Sequence, residues 1–410
     1  MKQGARLPYL LFFIGLLPFI MVIGNSMFIP LLPHMQAELG LTMIEGGWIL
    51  TSFSIPAAVL VPFGGILSDR YGRKKVAMLA LPLIMIGSFI SALAGMNGVL
   101  SPVFEWMIVG RIIQGVGAGG ITPLAMAFIS DLYTGEKRSR ALGSIEVFNG
   151  AGKVLSPIIG GIILGFSWTI SFVILFATAL LAFVGIFLFV DAQKQVVTEK
   201  EHIFIKYKRL QTLTKKHWKW LVPIFASGAI GMFLMFGYLF YLSHLLDLAD
   251  TIPSMGKGFI LACPLLVLTV FSYLTGRRLK GREDSYKRGF LLGIGLMIIG
   301  TWSMIHSMEV GFIVVGMIIY GTGFGILLPS ANAALASIVS KKERGTVFAF
   351  YAMLRFLGVA FGPVLFGTWM NDPTQLLFTS LFFVMINGVI LLFSWSCLPI
   401  GKSCVDSGLT

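Results

Sequence analysis

The chain is poor in charge, in acids above all, and in cysteine. Only 12% of its 410 residues are Asp, Glu, Lys or Arg, while 56% are apolar; soluble domains carry about 25% charged residues. An ordinary water-soluble protein is thereby excluded. The three cysteines, Cys263, Cys397 and Cys404, are too far apart for a Cys-x-x-Cys pair. No Cys/His group has metal-ligand spacing, so neither a disulfide framework nor a metal site is expected. The phosphate loop Gly-x-x-x-x-Gly-Lys-Ser/Thr, the His-Glu-x-x-His helix and the Gly-x-Ser-x-Gly elbow are missing too. The reading is of a non-enzyme with no catalytic residues and no cofactor.

What is present is hydrophobic length. A helix crossing about 30 Å of hydrocarbon needs roughly 20 apolar residues. Such runs fall near 7–32, 46–67, 76–96, 103–129, 141–165, 168–190, 218–242, 255–276, 288–307, 310–335, 346–370 and 375–398. The first is much longer than a signal-peptide core and has no small-residue cleavage site, so it reads as a retained helix. The expected fold is an all-α membrane protein with twelve transmembrane helices.

The net charge of +13 follows the same geometry. Of 31 Lys and Arg residues, 27 lie on alternate connections, counting both termini with them. Positive residues accumulate in cytoplasmic loops, which puts both termini in the cytoplasm and removes the need for a nucleic-acid partner. Arg111, Lys153 and Arg355 fall inside expected spans.

The polar stretch after the sixth span divides the chain into an N-terminal six-helix bundle (1–190), a cytoplasmic linker (191–217) and a C-terminal six-helix bundle (218–410). The halves repeat. Sliding 115–161 by 206 positions onto 321–367 gives ten identities, among them Gly115/Gly321, Gly117/Gly323, Gly119/Gly325, Pro123/Pro329, Gly152/Gly358 and Pro157/Pro363. Duplication is the simplest account of matched Gly and Pro at such spacing.

Three motifs stand out. Gly64-Gly65-Ile66-Leu67-Ser68-Asp69-Arg70-Tyr71-Gly72-Arg73-Lys74-Lys75 combines turn glycines, one acid and a basic run, and resembles motif A of the major facilitator superfamily. Asp69 could pair with a base or with the positive end of a neighbouring helix. With Gly65, Arg70, Gly72 and Arg73 it is a candidate gate. Its counterpart Gly276-Arg277-Arg278-Leu279-Lys280-Gly281-Arg282 lacks the carboxylate. Arg111-Ile112-Ile113-Gln114-Gly115, followed by Gly117 and Gly119, resembles motif B. An arginine facing the bilayer centre costs roughly 2.5–3.5 kcal/mol, so Arg111 is expected to face the interior, the alternative being to snorkel. Gly143, Gly152, Ser156-Pro157 and Gly160-Gly161 resemble motif C, with Ser156 in place of the usual glycine. Pro157 removes a backbone bond, and Gly152, Pro157, Gly160 and Gly161 are candidate flexing positions, a static kink being the alternative.

Glu146, Asn149 and Lys153 are spaced i, i+3 and i+7 and share a helical face. Seven residues rise about 10.5 Å, so Glu146 and Lys153 need not touch. Glu146, with Arg111, is the candidate proton-coupling group; a structural ion pair with Lys153 or Arg111 is the alternative. Asn25, Gln114, Asn149, Lys153, Tyr320 and Arg355 are candidate cavity residues.

The resemblance implies a secondary transporter of the drug:proton antiporter branch. Its two halves would rock to expose a site to each side in turn, driven by the proton gradient. Its partners would be a small-molecule substrate, protons and the lipid bilayer of the inner or plasma membrane, and a monomer is the expected state. The substrate stays open between amphipathic drugs, a metabolite such as a siderophore, and a lipid-like anion. Proton symport or facilitated import of an organic solute is a further alternative.

Overall fold

A computed structural model describes residues 3–96, 99–190, 203–249, 251–279, 283–339 and 343–393. Cys397, Cys404, Lys280, Gly281, Arg282 and positions 191–202 of the expected linker lie outside them. Every regular element among the described residues is helical. The first group comprises α1 (Gln3–Ser26), α2 (Leu32–Leu39), α3 (Met43–Tyr71), α4 (Arg73–Ala94), α5 (Val103–Ile121), α6 (Leu124–Leu132), α7 (Gly135–Ile163) and α8 (Thr169–Phe189), with a 3-10 turn at Ile29–Leu31. The second comprises α9 (Ile203–Leu248), α10 (Ser254–Arg278), α11 (Glu283–His306), α12 (Val310–Ile338), α13 (Arg344–Trp369) and α14 (Pro373–Phe393). Residues 203–217, expected within the linker, are helical and run straight on into α9.

Eleven segments among the described residues are long and apolar enough to cross a membrane, one fewer than the twelve expected. The exception is α7. It has the length, 29 residues, but Arg138, Arg140, Glu146 and Lys153 dilute its apolar content. Prolines explain why some spans are built from two pieces. Pro30 and Pro33 follow the end of α1, and Pro123 separates α5 from α6; each lacks the N–H that would continue a helix ladder.

The helices cluster into two compact units. Among the described residues, those within 1–200 and 246–262 form unit 1, and those within 201–245 and 263–410 form unit 2. Glycine sets the helix spacing within each. A Cβ on Gly117 would sit 2.5 Å from the Ala80 carbonyl oxygen, and one on Gly119 2.6 Å from that of Ala57. In unit 2 a Cβ on Gly323 would lie 2.5 Å from the Gly293 oxygen, and one on Gly325 2.7 Å from that of Leu268. The glycines matched in sequence therefore make matched backbone contacts, the close approach that small residues allow in lipid.

Candidate functional site

The most buried charge in unit 1 is Arg111, with 0% of its surface exposed. Its Nε donates to the Ile49 carbonyl at 2.8 Å, and Nη1 donates to the Gly24 carbonyl at 2.6 Å and to Gln114 Oε1 at 2.9 Å. Gly24 lies in the last turn of α1, where carbonyls have no partner within the helix and the dipole is negative. The rings of Phe28 and Phe53 sit 4.5 and 4.7 Å from Arg111 Cζ, so the cation is held by aromatic faces and backbone oxygens. No carboxylate pairs with it among the described residues. Snorkelling does not occur.

Beside it, several buried polar atoms find no partner within the protein: Asn25 Nδ2 and Oδ1, Gln114 Nε2 and Arg111 Nη2. Such atoms are rare in folded interiors and call for an explanation. Three of the residues flagged from sequence thus form one under-satisfied polar cluster where α1, α3 and α5 meet.

Helix α7 packs its Gly152 side on α1, where a Cβ would lie 3.2 Å from Val22 and 3.3 Å from Phe19. Further along, a Cβ on Gly160 would run into the Met27 carbonyl, and one on Gly161 would lie 2.7 Å from the Gly258 Cα. Ser156, the departure from motif C, donates back to the Gly152 carbonyl, a bond that tends to bend a helix. Glu146, Lys153 and Pro157 lie within about 40° of one another around α7. Gly258, the neighbour of Gly161, also sits against the Pro157 carbonyl, so this face carries protein contacts at its far end. Glu146 is exposed, Asn149 and Lys153 are half-buried, and Glu146 forms no ion pair among the described residues.

The α3–α4 turn centres on Arg73. It pairs with Asp69, donates to Ser68 Oγ at 2.6 Å, and reaches Asp131 Oδ2 at 3.2 Å. Gly72 has φ +98°, a conformation open to glycine but strained for other residues. Arg70 lies over the Tyr71 ring at 5.3 Å. The tight backbone approach falls at Gly64, where a Cβ would lie 2.9 Å from the Gly119 and Gly120 oxygens, whereas a Cβ on Gly65 would meet only Pro123 at 4.0 Å. Sequence reasoning missed Asp131 and Ser68; the one available signal was an acid closing the next loop on the same side.

In unit 2, Arg355 is half-buried, with Cζ 5.6 Å from the Tyr351 ring centre and Nε without a partner. Tyr351 stacks on Phe225 at 5.6 Å, and its hydroxyl is unpartnered. The pair escaped the sequence reading, although Tyr351 precedes Arg355 by one helical turn. Tyr320 is fully buried and donates to the Gly231 carbonyl at 3.2 Å, much as Arg111 does to Gly24 in unit 1. No cluster of metal ligands occurs among the described residues.

The chain is thus a helical membrane protein of duplicated bundles, with Arg111 buried in one and Arg355 half-buried in the other. The model of the Major Facilitator Superfamily matches residues 14–363 and 252–399, and the chain belongs to that family. It is a membrane transporter, not an enzyme. It is 32% identical to the "Bacillibactin exporter" of Bacillus subtilis (strain 168) over 385 residues, 92% of this chain and 94% of that one. It is 26% identical to "Multidrug resistance protein 2" of the same organism, covering 92% of each. With the "Quinolone resistance protein NorA" of Staphylococcus aureus the identity is 24%, over 87% of this chain and 89% of the relative. The fold matches the crystal structure of a D-xylose-proton symporter with TM-score 0.75 at 17% identity, covering 98% of this chain and 99% of that one.

Proposed function

We propose that this transporter is a proton-coupled exporter of small amphipathic compounds that works by alternating access in the plasma membrane, with both termini cytoplasmic. The observation that carries the reading is Glu146. It is an acid on the most polar long helix, exposed and unpaired, on the face that also bears Lys153 and Pro157. A carboxylate so placed can take and release a proton without first breaking an ion pair. Loading Glu146 changes the charge of this face by one unit opposite Lys153, and that change would be read by the glycine-packed, proline-containing α7. Arg111 is fixed by carbonyls and rings; in this reading it biases the electrostatics of the cluster without itself carrying the proton. No cofactor takes part, and the proton gradient supplies the energy.

Export rather than import is supported by the motif C pattern and by the printed names of the relatives. The test is transport in inverted vesicles that carry a preformed acid interior. Substrate should discharge the gradient with the native chain and not with Glu146→Gln; native coupled flux by the variant would end the proposal.

A second reading is export of a particular anionic metabolite such as a siderophore. It is favoured by the balance of candidate interior groups, Glu146 against Arg111, Lys153 and Arg355, and by the 32% identity to the bacillibactin exporter. Accumulation measured with cationic dyes and with anionic catechol compounds in parallel separates the two.

A further inference from the structure

Arg111 and Arg355 both lie inside spans, and they are held differently. Arg111 gives its Nε and Nη1 to two backbone carbonyls and to Gln114, between two rings. Arg355 makes no hydrogen bond or ion pair among the described residues: Cζ lies 5.6 Å from the Tyr351 ring centre, and Nε is buried without a partner. Its charge is unspent. Arg355 is the twelfth of the 26 residues of α13, which at 1.5 Å per residue puts it about 15 Å or more from either end of the helix. An arginine side chain is too short to snorkel that far, so the charge has to be met within the span.

The neighbouring sequence turns this position toward protein. Tyr351 and Val359, one turn before and one turn after on the same row of α13, are 1% and 6% exposed. Tyr351 stacks on Phe225 of α9, and a Cβ on Gly228 of that helix would lie 2.5 Å from its hydroxyl oxygen. Three residues beyond Arg355, a Cβ on Gly358 would lie 2.2 Å from the Ala229 carbonyl oxygen. Arg355 therefore stands beside the seam between α13 and α9. Gly228 makes room for the Tyr351 ring, yet the hydroxyl is buried without a partner. Phenylalanine would fill the same space and leave no unsatisfied group. Phe348 and Ala352, seven and three residues before Arg355 on its own face, are half-buried, so apolar surface adjoins the cation. The shift of 206 positions that sets Gly358 on Gly152 sets Arg355 on Asn149 and Tyr351 on Ile145. At the matched positions α7 has neither the guanidinium nor the hydroxyl.

We propose that Arg355 and Tyr351 form the subsite for a carboxylate on the transported compound, with the guanidinium donating to both oxygens and the Tyr351 hydroxyl to one of them. The planar fork of arginine matches the two oxygens of a carboxylate, and the hydroxyl supplies a third donor. The substrate then neutralises a mid-span cation that unit 2 leaves without an acid, and its apolar part lies over Phe348 and Ala352. The proposal rests on the reading of this chain as an exporter of anionic compounds and narrows it to carboxylates. It does not depend on how protons are coupled.

Titration calorimetry of the full chain in detergent at neutral pH, with 2-naphthoate and its uncharged isostere 2-naphthamide, tests it. The native chain should bind the acid about tenfold or more tightly than the amide. Arg355→Gln should abolish that preference, Arg355→Lys should keep part of it, and Tyr351→Phe should weaken the acid by about tenfold, with the amide unchanged in all three. Without ligand, Arg355→Gln should unfold at the native temperature or above it, because only a ring face holds the side chain. If Arg355→Gln fails to fold, Arg355→Lys and Tyr351→Phe carry the test. Lower stability with unchanged selectivity would mark Arg355 as structural and overturn the proposal. Equal affinity of the native chain for acid and amide, or a preference unchanged by Tyr351→Phe and by the Arg355 variants, overturns it too. No gradient enters this measurement, so its failure leaves proton-coupled export standing, and the vesicle assay of Glu146→Gln decides that reading separately.

Discussion

Arg111 Nη1 donates to the carbonyl of Gly24 at 2.6 Å, so a cation from the middle of α5 closes the end of α1. The same guanidinium reaches Ile49 in α3. One side chain therefore ties three helices together, and it does so through backbone, which a substitution at Gly24 or Ile49 would not remove.

Lysine should not replace it. Arg111→Lys keeps the charge but lacks the planar fork that serves Gly24, Ile49 and Gln114 together. Leaving buried acceptors unserved costs about 1–3 kcal/mol. A lower unfolding temperature in detergent, accompanied by loss of transport, is the expected result; native stability in the variant would refute the tie.

Glu146→Gln should leave folding unchanged, because the side chain is exposed and bridges nothing among the described residues. Proton-driven transport should fall by at least an order of magnitude, while substrate exchange without a gradient persists. Measuring both modes in the same vesicles distinguishes a coupling group from a structural one.

Glycines of α7 should divide into two kinds. Gly160→Ala drives a methyl into the Met27 carbonyl and Gly161→Ala into Gly258, and overpacking of this sort costs about 1–3 kcal/mol. Gly143 has open space around its missing Cβ, so Gly143→Ala should stabilise the helix by about 0.5–1 kcal/mol. Thermal unfolding of the three variants gives the order.

Asp69 and Asp131 share Arg73, so their effects should not add. Both carboxylates are partly solvated, and each neutralisation alone, Asp69→Asn or Asp131→Asn, is expected to cost less than about 1 kcal/mol. A double-mutant cycle should show that the second loss is smaller than the first. Strict additivity would mean Arg73 does not couple them.

Much of this architecture could be read from hydropathy and charge, because the bilayer imposes helix length and the loops carry their sidedness in Lys and Arg. The repeat was visible in Gly115, Gly119 and their partners because backbone contact tolerates no side chain. Partners in three dimensions were harder to foresee. Arg111 satisfies itself on carbonyls, which every residue has, so sequence offers no mark for Gly24 or Ile49. Asp131 reaches Arg73 across 58 positions, a distance no local pattern spans. A motif names positions such as Gly65, whereas the neighbour's backbone crowds Gly64 instead.

The polarity of α7 also bears on how the chain reaches its membrane. A segment bearing Glu146 and Lys153 gains little from entering lipid alone, since each charge near the centre of a nascent helix opposes insertion by about 2.5–3.5 kcal/mol. Its entry must be assisted by helices already there. Ribosome-stalled chains ending soon after Ile163 should thus hold α7 outside the bilayer, and threading should be completed only once α8, with its nearly uninterrupted apolar sequence, emerges to carry its predecessor in.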